Sequence, residues 1–185
     1  MGPALTEPRV SPPKPEHRLD IDKLSAKSDA ESCAQLMATS EPWLTLGRSY
    51  DASLRILLDP TREIYLARDN LGIAGFVILC MVGAFVGYIQ TILVHPGRRG
   101  QGIGSKLLGF AEQRILRESP NIFMCVSSFN HGARRLYERM GYMVVGELTD
   151  YIVEGHSEIL LRKTSGPLTG FIPAVPGGTS VRSQV

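Results

Sequence analysis

The 185-residue chain has little charge of one sign and few cysteines. Twenty lysines and arginines against eighteen aspartates and glutamates leave a formal net charge of +2, and no block of five like charges occurs. This balance disfavours a surface built to bind nucleic acid. The three cysteines, Cys33, Cys80 and Cys125, are odd in number and far apart in apolar contexts, which argues against a disulfide framework or a zinc site. We therefore expect no metal and no nucleic-acid partner.

The chain also lacks a long hydrophobic run. Its longest apolar stretch, residues 73–89, is interrupted by three glycines and is shorter than the about 20 residues that a membrane-spanning helix needs. The first twenty residues carry five prolines and no apolar run, so they do not resemble a secretory signal. These absences predict a protein without a membrane partner that stays in the cytoplasm.

Most prolines lie near the two ends of the chain. Five of the twelve precede residue 18 and three follow residue 164, whereas hydrophobic residues make up 43% of the whole chain and are concentrated between those ends. A segment of this size and composition is large enough to close one hydrophobic core. We predict one domain over residues 18–163, a disordered proline-rich tail over residues 1–17 and a flexible tail containing glycine and proline over residues 164–185.

Hydrophobic periodicity within this segment predicts helices and strands in a mixed order. Ser28 followed by Glu31 indicates a capping box at the start of the first helix, and a second helix is expected to end at residue 59. Further helices are expected after the glycine cluster near residue 100 and before Gly141. The predicted strands lie near residue 19 and at residues 63–68, 73–82, 85–94, 122–126, 142–147 and 157–162. This order combines an antiparallel meander with a strand–helix–strand crossover, so the fold class is α+β, loosely α/β.

The most informative segment is residues 94–104, which reads Val-His-Pro-Gly-Arg-Arg-Gly-Gln-Gly-Ile-Gly. It connects a strand to a helix whose first turn is expected at Ser105 and Lys106. Glycines leave the backbone open to an anion, and the free N–H groups of a helix's first turn point at that position. Arg98, Arg99 and Lys106 add positive charge. A glycine-rich turn without a ligand is the alternative, but the order of strand, glycines, arginines and helix favours a phosphate or pyrophosphate site.

Two common phosphate-binding motifs do not match this loop. A P-loop needs Gly-Lys-Ser/Thr, whereas here Gly104 is followed by Ser105-Lys106, and the glycine spacing G-x-G-x-G is not the dinucleotide fingerprint G-x-G-x-x-G. What remains is Arg99-x-x-Gly102-x-Gly104. That pattern closely resembles the acyl-coenzyme A loop of the GNAT N-acetyltransferase superfamily, whose signature is [RQ]-x-x-G-x-[GA].

A second, separate motif supports the resemblance. In this family the following helix has an asparagine near its start, a tyrosine inside it and a Gly-aromatic pair at its end, which Asn130, Tyr137 and Gly141-Tyr142 match. The similarity covers residues 18–163. It implies a mixed, mostly antiparallel twisted sheet of about seven strands, flanked by four helices and with splayed central strands.

The resemblance also implies acetyl-coenzyme A as cosubstrate. The loop backbone would hold the pyrophosphate, and the pantetheine arm would lie between the two splayed strands, pairing as an extra strand does. A strand amide near Leu93 would polarise the thioester carbonyl. The residues implied in coenzyme binding are Ile92, Leu93, Val94, Arg99, Gly100, Gln101, Gly102, Ile103, Gly104, Ser105 and Asn130.

Tyr137 is the side chain implied in catalysis. A phenol is still protonated at pH 7 and can donate its proton to a departing thiolate that lies within reach. The alternative is a core aromatic, because Leu136, Tyr137 and Met140 share one helix face. Asn130 can cap its own helix or hydrogen bond the coenzyme arm, and the two roles are compatible.

The sequence does not assign a general base. Many relatives have a glutamate on the strand before the glycine loop, but residues 85–94 contain no acid. Tyr88 and Gln90 share a face of that strand and are placed to order a water. Glu147, Asp150 and His156 are more distant candidates.

The sequence does not assign the residues of the acceptor pocket either. Trp43 either lines a substrate cleft or caps the core, and Asp150, Glu154 and Glu158 form either an acidic rim or a solvated loop. The predicted function is transfer of an acetyl group from acetyl-coenzyme A to a primary amine, on a protein or a small molecule, by direct attack in a ternary complex. The alternative, from a different class, is a non-catalytic module that binds or senses acyl-coenzyme A.

Overall fold

The computed structural model describes residues 19–174, so the predicted tail over residues 1–17 lies outside the described residues. This part of the chain contains seven strands and four α-helices. The strands are β1 (Asp20–Lys23), β2 (Arg62–Asp69), β3 (Gly72–Cys80), β4 (Tyr88–Val94), β5 (Asn121–Ser127), β6 (Met143–Leu148) and β7 (Glu158–Thr164). The helices are α1 (Lys27–Ala38), α2 (Tyr50–Leu57), α3 (Ile103–Ile115) and α4 (His131–Arg139).

The strands form one open sheet in the order β1-β2-β3-β4-β5-β7-β6. The β4–β5 pair is parallel, and the other neighbours are antiparallel. α3 connects β4 to β5, because parallel neighbours need a crossover. The predicted class and the mostly antiparallel seven-stranded sheet with four helices are therefore confirmed.

Each face of the sheet carries its own hydrophobic cluster. In β3, Val77 and Leu79 belong to the cluster beneath α3 and α4, whereas Phe76 and Ile78 belong to the cluster beneath α1 and α2. Successive side chains of a strand point to opposite faces, and both faces here are covered. This is why β3 reads as a continuous apolar run instead of an alternating one.

The two central strands separate soon after they meet. β4 and β5 pair only at Tyr88 with Phe123 and at Ile89 with Met124, although each strand has seven residues. Immediately after Ile89, the register of β4 against β3 shifts by one residue at Gln90. A bulge of this kind bends its strand and increases the local twist. The expected splay of the central strands is thus present, and a bulge accounts for it.

The predicted start of the first helix is wrong. α1 begins at Lys27 behind Ala26, which makes no side-chain capping hydrogen bond. Ser28 therefore lies inside the first turn, where its carbonyl oxygen accepts a hydrogen bond from Ser32 Oγ at 2.9 Å. The capping box predicted from Ser28 and Glu31 does not form, because the helix starts too early for Ser28 to cap it.

The predicted start of the fourth strand at residue 85 is also wrong. Residues 84–87 form a turn, and Gly87 within it has φ +86°. A Cβ at that position would lie 2.5 Å from Ile115 Cγ2 and 2.6 Å from the Asn121 carbonyl oxygen. Only glycine fits this left-handed, crowded position, so the chain enters β4 at Tyr88.

The chain stays attached to the domain after β7. That strand ends at Thr164, one residue beyond the predicted domain end. The Ser165 amide donates to the Pro120 carbonyl oxygen at 2.9 Å. The Ala174 amide donates to the Arg117 carbonyl oxygen at 2.7 Å. Within residues 19–174, no helix has the length and apolarity to cross a bilayer.

Candidate active site

A cleft of about 1500 Å³ runs from the glycine loop, past the gap between β4 and β5, to the α1–α2 connection. Tyr137 and the loop line one part of it, and Trp43, Arg48 and Glu158 line another. Gln101 is exposed and lies outside the cleft wall. The other residues implied in coenzyme binding all line the cleft: Ile92, Leu93, Val94, Arg99, Gly100, Gly102, Ile103, Gly104, Ser105 and Asn130.

The glycine loop turns directly into a helix. Gly100 and Gly102 have φ values of +76° and +78°, in the left-handed region that side chains disfavour. Gly102 is the N-cap of α3, so the helix begins two residues earlier than predicted. The first intrahelical bond runs from the Lys106 amide to the Gly102 carbonyl oxygen at 3.1 Å. The amides of residues 103–105 are therefore free for an anion at the positive end of the helix dipole.

Gly104 keeps the passage from the loop to the gap open. A Cβ there would lie 3.4 Å from Leu136 Cδ2 and 3.6 Å from Val94 Cγ2, and both of these residues line the cleft. An alanine would touch both walls, and a larger side chain would fill the space between them. The loop is thus shaped for a ligand that continues from the helix terminus into the gap.

The backbone of β4 presents alternate residues to that gap. The His95 amide donates to the Ala74 carbonyl oxygen at 2.9 Å, and Leu93 lies opposite Phe76. Directly opposed residues of an antiparallel pair are hydrogen bonded at every second position. The Leu93 amide therefore faces β3, and the amides of Ile92 and Val94 face the gap. The sequence placed the backbone donor near Leu93, and the amides that face the gap there are those of its two neighbours.

The two loop arginines differ in what they contact. Arg98 Nε donates to Asp69 Oδ2 at 2.9 Å, and the Asp69 side chain is only 7% exposed. Arg99 is exposed, and its Nε makes only a long contact of 3.5 Å with the Val94 carbonyl oxygen. Arg98 therefore anchors the loop to the end of β2, whereas Arg99 keeps its charge for a ligand. The sequence assigned positive charge to both arginines and coenzyme binding to Arg99 alone.

Tyr137 reaches the cleft from α4. Asn130 caps this helix, its side chain accepting from the Ala133 amide at 3.2 Å. The Tyr137 side chain packs in the cluster beneath α3 and α4, and burial raises the pKa of its phenol to about 12. Among the described residues, none forms a hydrogen bond with its hydroxyl. The residue is a core aromatic whose phenol, protonated at neutral pH, lies in the cleft wall.

A polar cluster lies on the other face of the sheet. Cys125 and Ser127 alternate with the apolar residues of β5 that pack beneath α4, so they face the α1–α2 side. Ser127 Oγ donates to Glu158 Oε1 across the β5–β7 pair. Glu158 is only 4% exposed, and burial raises the pKa of its carboxyl. Burial, then the neighbouring Cys125 and the charge of Glu158, raise the pKa of Tyr88.

The sequence places Glu158 only in an acidic rim and does not include it among the candidate bases. Of the acidic residues considered for the rim or as a base, only Glu158 lines the cleft, and Glu147, Asp150 and Glu154 do not. The Asp150 carboxylate accepts from the Gly155 amide at 2.7 Å within the β6–β7 connection. The position of Glu158 at the start of the last strand was the one sequence feature that pointed to its role. Its partner on β5, Ser127, could not be read from the sequence, because it depends on the register of the two strands.

The α1–α2 connection completes the cleft. Trp43 is 8% exposed, belongs to the cluster beneath α1 and α2, and also lines the cleft, so both roles considered for it hold. Arg62 is bonded to Asp59 at 3.1 Å and to the Gln90 side chain. Arg48 lines the cleft and forms no side-chain hydrogen bond or ion pair with any described residue.

Residues 29–142 match the family model described as Acetyltransferase (GNAT) family. The chain therefore belongs to the GNAT acetyltransferase family, and the resemblance drawn from the glycine loop and the second motif is confirmed. Within the described part of the chain, no group of three or more His, Cys, Asp or Glu side chains is placed to hold a metal ion.

Relatives with different acceptors resemble the chain to a similar degree. The N-alpha-acetyltransferase RimI of Mycobacterium tuberculosis is 30% identical over 148 residues, which are 76% of this chain and 89% of that protein. The blasticidin-S acetyltransferase of Streptomyces morookaense is 30% identical over 90 residues, 45% of this chain, and the match spans 66% of its length, just under two thirds.

A solved structure of an aminoglycoside 6'-N-acetyltransferase, complexed with coenzyme A, has the same fold. It superposes with a TM-score of 0.67 at 18% identity, over 80% of this chain and 98% of that chain. At this identity the likeness concerns the fold.

Proposed function

We propose that this chain transfers an acetyl group from acetyl-coenzyme A to a primary amine by direct attack in a ternary complex. One observation carries the proposal: a single cleft joins the anion-binding loop to a polar pocket on the far side of the β4–β5 gap. Donor and acceptor can therefore meet without a covalent enzyme intermediate. The family membership and the N-acetyltransferase named among the relatives support the same reaction.

The donor half fits acetyl-coenzyme A. The free amides of residues 103–105, with Arg99 beside them, suit the pyrophosphate. The backbone groups of Ile92 and Val94 that face the gap suit a pantetheine arm added as a further strand. When bound, this cosubstrate supplies the activated thioester. The amide of Ile92 or Val94 then stabilises the negative charge that develops on the thioester oxygen, because its dipole is already fixed by β4.

Tyr137 protonates the leaving thiolate. Its pKa of about 12 keeps the phenol protonated at neutral pH, and its hydroxyl has no competing partner among the described residues. A general acid must hold its proton in the resting enzyme and release it only as charge develops. Burial of Tyr137 meets the first requirement, and its place in the cleft wall serves the second.

Glu158 takes the proton from the amine. A primary amine with a pKa of about 8 to 10 is mostly protonated at neutral pH and must lose a proton to attack. The raised pKa of Glu158 makes it a stronger base than an exposed carboxylate. Ser127 holds Oε1, which leaves Oε2 to accept the proton. Tyr137 and Glu158 approach the gap from opposite faces of the sheet, as an acid and a base for the two reactants should.

Release of free coenzyme A thiol, measured with a panel of amines, tests the proposal. Thiol release that depends on both acetyl-coenzyme A and an amine is the expected result. A non-catalytic sensing module would bind acetyl-coenzyme A, seen as a rise in melting temperature, and release no thiol with any amine.

A further inference from the structure

Arg48 occupies a fixed position in the acceptor half of the cleft. Its amide donates to the Trp43 carbonyl oxygen at 2.9 Å, and Trp43 is buried in the cluster beneath α1 and α2. The next residue, Ser49, caps α2. Hydrogen bonds therefore hold the backbone on both sides of Arg48, and Arg48 lines the cleft.

This guanidinium is half-buried without an acid to balance it. Among the described residues that line the same end of the cleft, Glu41 and Glu158 are acidic, and neither forms an ion pair with Arg48. Glu41 accepts from the Thr45 amide at 3.2 Å, and Glu158 from Ser127. Burying a charge that has no ion-pair partner costs desolvation free energy. Burial and then the neighbouring Arg62 lower the pKa of Arg48, which is the signature of that cost.

Tyr88 connects Arg48 to the proposed base. It is close enough to Arg48 and to Glu158 to interact electrostatically with each of them. The neighbouring Arg62 already forms an ion pair with Asp59 and a hydrogen bond with the Gln90 side chain. A molecule that brings an amine to Glu158 therefore extends past the Tyr88 ring toward a cation that lacks a counter-charge.

We propose that Arg48 binds an anionic oxygen group, a carboxylate or a phosphonate, carried by the amine acceptor itself. The inference rests on the proposed acetyl transfer and specifies its substrate class as a small amino acid or aminophosphonate. A guanidinium binds such groups with two parallel hydrogen bonds. Diamines and aminoglycosides are disfavoured, because their second cation would approach Arg48 and Arg62.

The test compares short primary amines that carry an anionic, a neutral or a cationic group beyond the amine. The anionic set is glycine, β-alanine, 4-aminobutyrate and 2-aminoethylphosphonate, and the matched set is β-alaninamide and 1,4-diaminobutane. Wild-type protein should release coenzyme A thiol fastest with one of the anionic amines. Arg48→Met should raise KM for that acceptor about 10- to 100-fold, the worth of a charge-assisted pair, and leave KM for acetyl-coenzyme A and for β-alaninamide unchanged. Arg48→Lys should recover part of the loss.

Arg55→Met is the matched control. Arg55 is exposed on α2, seven residues along the chain, and does not line the cleft. Its loss should leave every acceptor's KM as in the wild type. If Arg48→Met weakens charged and neutral acceptors alike, or the wild type prefers the amide or the diamine, the inference is overturned and the proposed acetyl transfer stands.

A separate binding measurement distinguishes the two proposals. If no amine releases thiol, the proposed function fails, and calorimetry of the same anionic amines on the coenzyme A-loaded protein decides the role of Arg48. Binding that Arg48→Met abolishes and Arg55→Met preserves supports the anion site. Equal binding to both variants, or no binding to the wild type, rejects it.

Discussion

The proposed donor and acceptor halves of the cleft are built in different ways. The anion-binding part of the donor half consists of consecutive residues, 99–105, and uses backbone amides and glycine conformations. The acceptor half consists of side chains from separate segments: Arg48, Tyr88, Ser127 and Glu158. A backbone site leaves a compact sequence motif, because the glycines it needs are close together in the chain. A side-chain site assembled from several strands leaves no such motif.

The two halves also differ in what holds them in place. Left-handed glycines and the start of α3 shape the donor half locally. Strand register and the packing of Trp43 shape the acceptor half, and the bulge at Gln90 opens the gap between the two. Changes near the reacting atoms should therefore affect turnover, and changes in the loop should affect donor affinity.

The largest effect is expected for Tyr137→Phe, which keeps the ring and removes the proton donor. Turnover should fall about 10²- to 10⁴-fold at saturating substrates, while donor affinity stays nearly constant. Tyr142→Phe is the matched control, because Tyr142 packs in the same cluster, 6.2 Å away between ring centres, and does not line the cleft. Equal turnover in the two variants would show that Tyr137 is only a core aromatic.

Glu158→Gln should lower turnover by about 100-fold and remove the acidic limb of the pH–rate profile, since the carboxylate is active as a base only above its raised pKa.

The same change should stabilise the protein at neutral pH. A carboxyl whose pKa is raised by folding binds protons more tightly in the folded state, so stability is lost as pH rises from the unfolded-state pKa through the folded-state pKa. Denaturant unfolding of the wild type and the variant, at one pH below and one above the raised pKa of Glu158, measures this difference in the free energy of unfolding. A variant that loses stability at neutral pH while keeping its rate profile would assign Glu158 a structural role.

Gly102→Val should abolish the stabilisation that acetyl-coenzyme A confers. At a concentration of 100 times the dissociation constant, that stabilisation is about 2.7 kcal/mol in a protein that binds the donor. A β-branched residue at φ +78° strains the loop and displaces the amides at the start of α3. Gly109→Ala is the control, because nothing lies within 4 Å of a Cβ there and an alanine suits the interior of α3. A normal thermal shift in folded Gly102→Val protein would contradict the loop assignment.

The smallest effect separates the two loop arginines. Arg98→Met should cost about 1 kcal/mol of stability by breaking the pair with Asp69 and change donor affinity only a few-fold. Arg99→Met should leave stability unchanged and weaken donor affinity more than Arg98→Met does. Melting curves and donor titrations on both variants measure this, and the reverse order would show that Arg98, not Arg99, contacts the phosphate.

The sequence predicted the order of helices and strands well and some of their ends poorly. Hydrophobic periodicity follows from burial, which acts along every element, so the order is readable from the chain alone. The ends depend on single contacts. Gly87 ends a turn because Ile115 and Asn121 crowd it, and those residues lie far away in sequence. Ser28 matched a capping pattern, but α1 begins one residue before it.

By itself, the sequence determined the family and indicated the glycine loop as the proposed donor site, because both depend on glycines and neighbouring residues within short segments. Only the tertiary structure decided which amides of β4 face the gap, that Arg98 pairs with Asp69, and that Glu158 meets Ser127 across 31 positions of the chain. Each of these follows from strand register or loop packing. A shift of one residue in register reverses the face on which every side chain of a strand lies, so no local pattern could have placed the acceptor half.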